Sequence, residues 1–86
     1  MFWLLERHKN MKYNYKDFDG NLYDDMKNCE IAYKEYLKNP DDKNEYWKLK
    51  EAVYYVSLAI KEAKVTHRFP NDLLDEMKDY YWGLLL

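Results

Sequence analysis

The chain has very few of the residues that interrupt regular structure: two glycines and two prolines in 86 residues. Long irregular loops are therefore not expected, because glycine and proline are what most loops turn on. Cysteine is almost absent as well. Cys29 stands alone, so no internal disulfide can form, and with His8 and His67 distant in sequence it supplies no metal-ligand spacing. The expectation is a reducing, cytoplasmic setting with no metal and no cofactor. Nor is there a long apolar run. A membrane span takes about 20 consecutive apolar residues, and the greasiest stretches, MFWLL at the start and YYWGLLL at the end, are far shorter. The five residues before Glu6 also fall short of the apolar core of about 7 to 15 residues that a signal peptide carries. No membrane partner is expected.

A strong charge of either sign is missing too. Fourteen basic residues against 16 acidic ones leave a net charge of −2, which makes no global field able to draw in nucleic acid or anionic lipid. Arginine is scarce, with Arg7 and Arg68 set against many lysines. Lysine, asparagine and tyrosine are the residues an AT-rich genome over-uses, which points to a low-GC bacterium or one of its phages.

What the chain does have is apolar and aromatic bulk. Hydrophobic residues make up 48 % and aromatics 19 %, too much for a disordered chain. One domain spanning residues 1–86 is expected, since nothing divides it.

The apolar residues recur with a helical period. Leu22, Met26, Cys29, Tyr33, Tyr36 and Leu37 fall on one side of a helix from Leu22 to Lys38, with Ile31 stranded among charges on the other side. Asn39-Pro40-Asp41-Asp42 reads as a second helix start: an asparagine cap, proline in the first turn, and acids where the helix dipole favours them. This second helix, about residues 40–67, is the longest. Leu49, Val53, Val56, Ile60 and Ala63 make a continuous stripe along it, widened by Ala52 and Ala59. Trp47, Tyr54, Leu58 and Val65 make a second apolar line on a different side. A helix apolar on two sides needs a neighbour on each. Phe69-Pro70-Asn71-Asp72 breaks the pattern, and Leu73, Leu74, Met77, Tyr80, Tyr81 and Leu84 restart it as a third helix with Gly83 at or near its end. Residues Phe2 to Met11 read as a short helix, and MFWLL is expected to close the core beside YYWGLLL. The stretch Tyr13 to Tyr23 reads as an irregular loop, with a short hairpin around Asp19-Gly20 as the alternative. The fold class is thus all-α, a small bundle of three or four helices around a long central one.

Several local patterns bear on chemistry. Asp17-Phe18-Asp19-Gly20-Asn21-Leu22-Tyr23-Asp24 resembles the DxDGTL nucleophile loop of haloacid-dehalogenase-type phosphatases. The resemblance implies Asp17 as nucleophile, Asp19 as acid and base, and magnesium between them. That family needs an apolar strand just before the loop, where this chain has Lys12-Tyr13-Asn14-Tyr15-Lys16. It also needs a doubly wound sheet that 86 residues cannot hold. An acidic turn before a helix is the better reading. Laid against a calcium loop, the same residues put Tyr15 and Met26 where the first and last ligands belong, so that site fails as well. The chain is expected not to be an enzyme.

Two binding readings remain. Ten tyrosines and three tryptophans exceed what so small a core can take in, because a buried tyrosine hydroxyl needs a partner. Trp47, Tyr54, Tyr55, Leu58 and Trp82 are the candidates for a protein-binding surface, as tyrosine and tryptophan dominate interface hot spots. The corresponding function is a small inhibitor or regulator of a larger protein, encoded by a phage or another mobile element, or a homodimer formed on the same face. The alternative is a nucleic-acid-binding protein using a lysine track of Lys43, Lys50, Lys61 and Lys64 with Arg68, beside aromatics that stack bases.

Overall fold

In a computed structural model the structure describes residues 11–86. The short helix expected over Phe2 to Met11, the packing of MFWLL and the position of His8 lie outside the described residues, apart from Met11. Among them the fold is all-helical, a small bundle of three α-helices preceded by one 3-10 turn, with no strand.

Tyr13 to Tyr23 is thus not a hairpin. Asn14 accepts a hydrogen bond from the Lys16 amide at 3.0 Å and so caps a single turn at Tyr15–Asp17. The chain then straightens through Phe18 and Asp19 and enters helix α1, Gly20–Lys38. Gly20 opens that helix at φ +58°, in the left-handed region that side chains disfavour. A Cβ there would also stand 3.2 Å from an Arg68 guanidinium nitrogen. Both constraints select glycine. The helix therefore begins two residues before Leu22, where the hydrophobic period starts.

The Asn39-Pro40-Asp41-Asp42 motif does not open the next helix in the way its residues suggest. Asn39 closes α1, donating its amide to Glu35 and Tyr36 carbonyls at 3.2 and 3.1 Å, and its own carbonyl accepts from the Asp42 amide at 3.0 Å. Pro40 therefore sits inside a four-residue turn, a position its fixed φ suits equally well. Asp42 is the true cap, accepting from the Asn44 amide at 2.8 Å. Helix α2 follows as Lys43–Val65, 23 residues against the expected span of about 40–67.

Its far end is a Schellman motif. The His67 amide donates to Lys64 at 3.3 Å and the Arg68 amide to Ala63 at 3.2 Å, with His67 itself at φ +55°. Glycine normally holds this position. His67→Gly is accordingly expected to raise the melting temperature by about 2–6 °C, relief of left-handed strain outweighing added freedom in the unfolded chain. A lower melting temperature in a calorimetric scan would contradict the strain argument. Helix α3, Asn71–Gly83, starts after Pro70, and Gly83 is its last residue without a left-handed φ.

The core is built from the periodic residues. Leu22, Met26, Cys29 and Tyr33 of α1 meet Leu49, Val53, Val56, Ala59, Ile60 and Ala63 of α2 and Leu74, Met77 and Tyr81 of α3. No charged or polar residue is buried among the described residues. Tyr36, Leu37, Leu73, Tyr80, Leu84 and Leu85 flank this cluster, so most of YYWGLLL folds back onto the domain. Helix α2 packs against both α1 and α3. A surface latch fixes the first described residues: Lys12 pairs with Glu76 at 2.7 Å, its amide donates to the Tyr80 hydroxyl at 3.0 Å, and the Tyr13 and Tyr80 rings meet edge to face at 5.4 Å.

A candidate protein-binding face on helix α2

Both apolar lines read from the α2 sequence exist, with opposite fates. Leu49, Val53, Val56, Ile60 and Ala63 are fully buried or nearly so. Trp47, Tyr54, Leu58 and Val65 are 60, 51, 44 and 71 % exposed. Two neighbours do pack on the helix, but both α1 and α3 lie against the inward stripe, and among the described residues nothing covers the outward line. The expectation that each apolar side has its own neighbouring helix is corrected here. Small side chains on the inner side, Ala59 and Ala63 among them, let both helices approach closely there.

Local contacts shape the outward face. The Lys50 ammonium lies over the Trp47 ring, 4.8 Å from its centroid, a contact that shields part of the indole while keeping the charge in water. Tyr54 and Tyr55 meet edge to face at 5.8 Å, and the Ser57 hydroxyl donates to the Tyr54 carbonyl at 2.6 Å. Tyr55 is half exposed on the flank of the line, and Trp82 lies on α3, outside it.

The lysine track is only partly free. Lys64 is bonded to Asp75 of α3 at 2.6 Å. The Arg68 guanidinium pairs with the Asp19 carboxylate and also donates to the Asp19 carbonyl at 3.2 Å. It thereby joins the end of α2 to the start of α1. Lys50 is engaged by Trp47. Lys43 and Lys61 are exposed and have no ion-pair partner among the described residues.

The remaining chemistry-bearing residues are occupied structurally. Asp19, the acid and base of the phosphatase resemblance, is the residue that Arg68 holds, and Asp17 lies in the 3-10 turn. Burial, with a smaller contribution from Glu30, pushes the Cys29 thiol up to about 12 from its ordinary 9.0. A neutral buried thiol packs as a small hydrophobe. No group of three or more histidine, cysteine, aspartate or glutamate side chains could hold a metal ion among the described residues. No helix there is long and apolar enough to cross a membrane. A depression of about 260 Å³ lies between the Met11 to Lys16 segment and Glu30 and Lys34 of α1, below the roughly 300–1,000 Å³ of typical ligand pockets.

Two features escape a reading of the sequence alone. The Lys64 to Asp75 and Arg68 to Asp19 pairs join helices, so no helical spacing within one element announces them. The left-handed residue His67, which immediately precedes Arg68, is the other. Comparison with protein-family models, with curated proteins and with solved structures finds no match to this chain.

Proposed function

We propose that the protein is a non-enzymatic protein-binding module, a small inhibitor or regulator of a larger protein encoded by a phage or another mobile element of an AT-rich host. Helix α2 serves as the central helix of the bundle and as its contact element. The observation that carries this reading is the outward line of Trp47, Tyr54, Leu58 and Val65, all substantially exposed on a helix whose other side already supplies the core. Large apolar residues exposed in one line along one helix favour an interaction site. Its aromatic anchors are the residues that carry most binding energy at interfaces. Tyr55 and Trp82 extend the contact. The setting is the cytoplasm, that of the host for a phage protein. Nucleic-acid binding is the weaker reading, because Lys64 and Arg68 spend their charges on Asp75 and Asp19.

The test is capture of a partner from a low-GC bacterial lysate by the tagged full chain. Trp47→Ala with Tyr54→Ala should abolish capture while moving the melting temperature by no more than a few degrees, since both side chains are exposed and their truncation opens no cavity. Nuclease treatment of the lysate should leave capture intact. Capture that survives the aromatic changes and vanishes on nuclease treatment would reverse the ranking in favour of nucleic acid.

A further inference from the structure

The outward side of α2 carries more order than its four apolar residues reveal. Trp47, Glu51, Tyr54, Leu58, Lys61 and Val65 recur at spacings of four and three residues in strict alternation. That is the seam of a coiled coil, in which residues repeating every 3.5 positions face a partner helix. The seam is about 27 Å long at 1.5 Å per residue. All six side chains are exposed, and neither Glu51 nor Lys61 has an ion-pair partner among the described residues. The seam therefore offers an apolar surface with one unspent acid near one end and one unspent base near the other.

The order along the seam is apolar, acidic, apolar, apolar, basic, apolar. This order is complementary to its own reverse. Resting on the reading of this face as a protein-binding surface, we propose that its occupant is a second copy of the chain, packed antiparallel across a two-fold axis level with Val56. In that arrangement Trp47 meets Val65 of the second copy, Tyr54 meets Leu58, and Glu51 meets Lys61, each contact occurring twice. A parallel pair in register would instead set Glu51 against Glu51 and Lys61 against Lys61, a repulsion at both charged layers. The flanks are compatible with the antiparallel choice. On one side Tyr55 faces its own copy, and Lys48, 3.7 Å from Glu45 of its own helix, faces Glu62, which accepts from Asn21 at 3.0 Å. On the other, Lys50 faces a Lys64 whose charge Asp75 of the same chain already holds at 2.6 Å. The second copy covers the residues a larger partner would use, so such a partner has to displace it.

Sedimentation equilibrium on the full chain tests this, over a concentration series reaching about 100 µM, where a small interface of this kind is populated. The wild-type chain is expected to form dimers. Glu51→Lys alone, which sets lysine against Lys61, and Lys61→Glu alone should each raise the dissociation constant by about tenfold or more. The double variant carrying both changes reverses the polarity of each contact and should restore wild-type association. These positions are exposed, and an unchanged melting curve confirms that the fold is intact in each variant. A wild-type chain that stays monomeric across the series overturns self-pairing and leaves the face to a different protein. A dimer that persists in both single variants but dissolves in Trp47→Ala with Tyr54→Ala overturns the antiparallel register while retaining the face. A dimer indifferent to the aromatic changes as well lies on another surface, which overturns this inference and leaves the reading of the face to the capture experiment.

Discussion

Replacing Tyr81 with alanine is expected to destabilise the fold by about 3–5 kcal/mol, the usual range for truncating a buried aromatic. Tyr81 is 1 % exposed and the largest of the fully buried side chains. It belongs to the cluster in which α3 meets α1 and α2, and its ring lies edge to face against Tyr80 at 5.3 Å. Small domains have about 5 kcal/mol or little more to lose. The variant should thus be close to unfolded at room temperature, with a midpoint lowered by about 15 °C or more. Tyr81→Phe keeps the ring and its volume, so a loss of no more than about 1 kcal/mol is expected. Urea titrations of both variants supply the measurement. An alanine variant that loses less than about 1.5 kcal/mol would mean that α3 does not depend on this side chain for its docking.

The same part of the core should make the protein sensitive to alkali. Burial first, and Cys29 next, push the Tyr81 hydroxyl far above its ordinary 10.0. The Cys29 thiol stands at about 12 instead of 9.0. For Tyr33 the direction is the same and burial is again the leading cause. Each group is an acid whose folded pKa lies above its unfolded one. The stability it confers is thus complete below the unfolded value and is lost as pH rises toward the folded value. For Cys29 the window opens at 9.0 and closes at about 12. At pH 10.5 this thiol alone should have removed about 2 kcal/mol, at roughly 1.4 kcal/mol per unit. Tyr81 and Tyr33 steepen the fall above pH 10. Cys29→Ala should be slightly less stable than the wild type at pH 7, yet flatter between pH 9 and 10. A wild-type stability that stays level from pH 8.5 to 10.5 would show that the thiol is not buried as described.

The parts of the fold that sequence disclosed are those set by periodicity alone. Leu22, Met26, Cys29 and Tyr33, like Leu49, Val53, Val56, Ile60 and Ala63, are all buried, because a helix of fixed pitch leaves no other side for them to share. Helix ends were less legible, and for an identifiable reason. Asn39-Pro40-Asp41-Asp42 satisfies the requirements of a cap and of a turn equally well. Which one forms depends on whether Asn39 still belongs to α1. At the other end of α2 no glycine announces the stop, since histidine occupies the left-handed position. The segment from Met11 to Asp19 was harder still. Its anchors are Glu76, Tyr80 and Arg68, far along the chain.

The candidate face was legible as a line of residues but not as a surface. Trp47, Tyr54, Leu58 and Val65 could be grouped from their spacing, whereas periodicity does not say which side of a two-sided helix receives the neighbours. Ala59 and Ala63, buried in the inward stripe, let α1 and α3 approach on one side, and among the described residues the other side stays open. The basic track is legible in the same limited way. Its lysines share a sector in projection, but Lys64 and Arg68 were committed by acids on other elements.

The tight turn at Asn39 to Asp42 has a kinetic consequence. It joins α1 to α2, the pair of helices with the broadest contact in the fold, so the largest interface forms between segments already adjacent along the chain. Chains whose contacts are this local fold fast, with little loop entropy to overcome. The hairpin can then serve as a nucleus onto which α3 docks. Rapid closure of this kind limits the time during which two apolar sides of α2 are exposed at once. In a crowded cell that brevity limits aggregation.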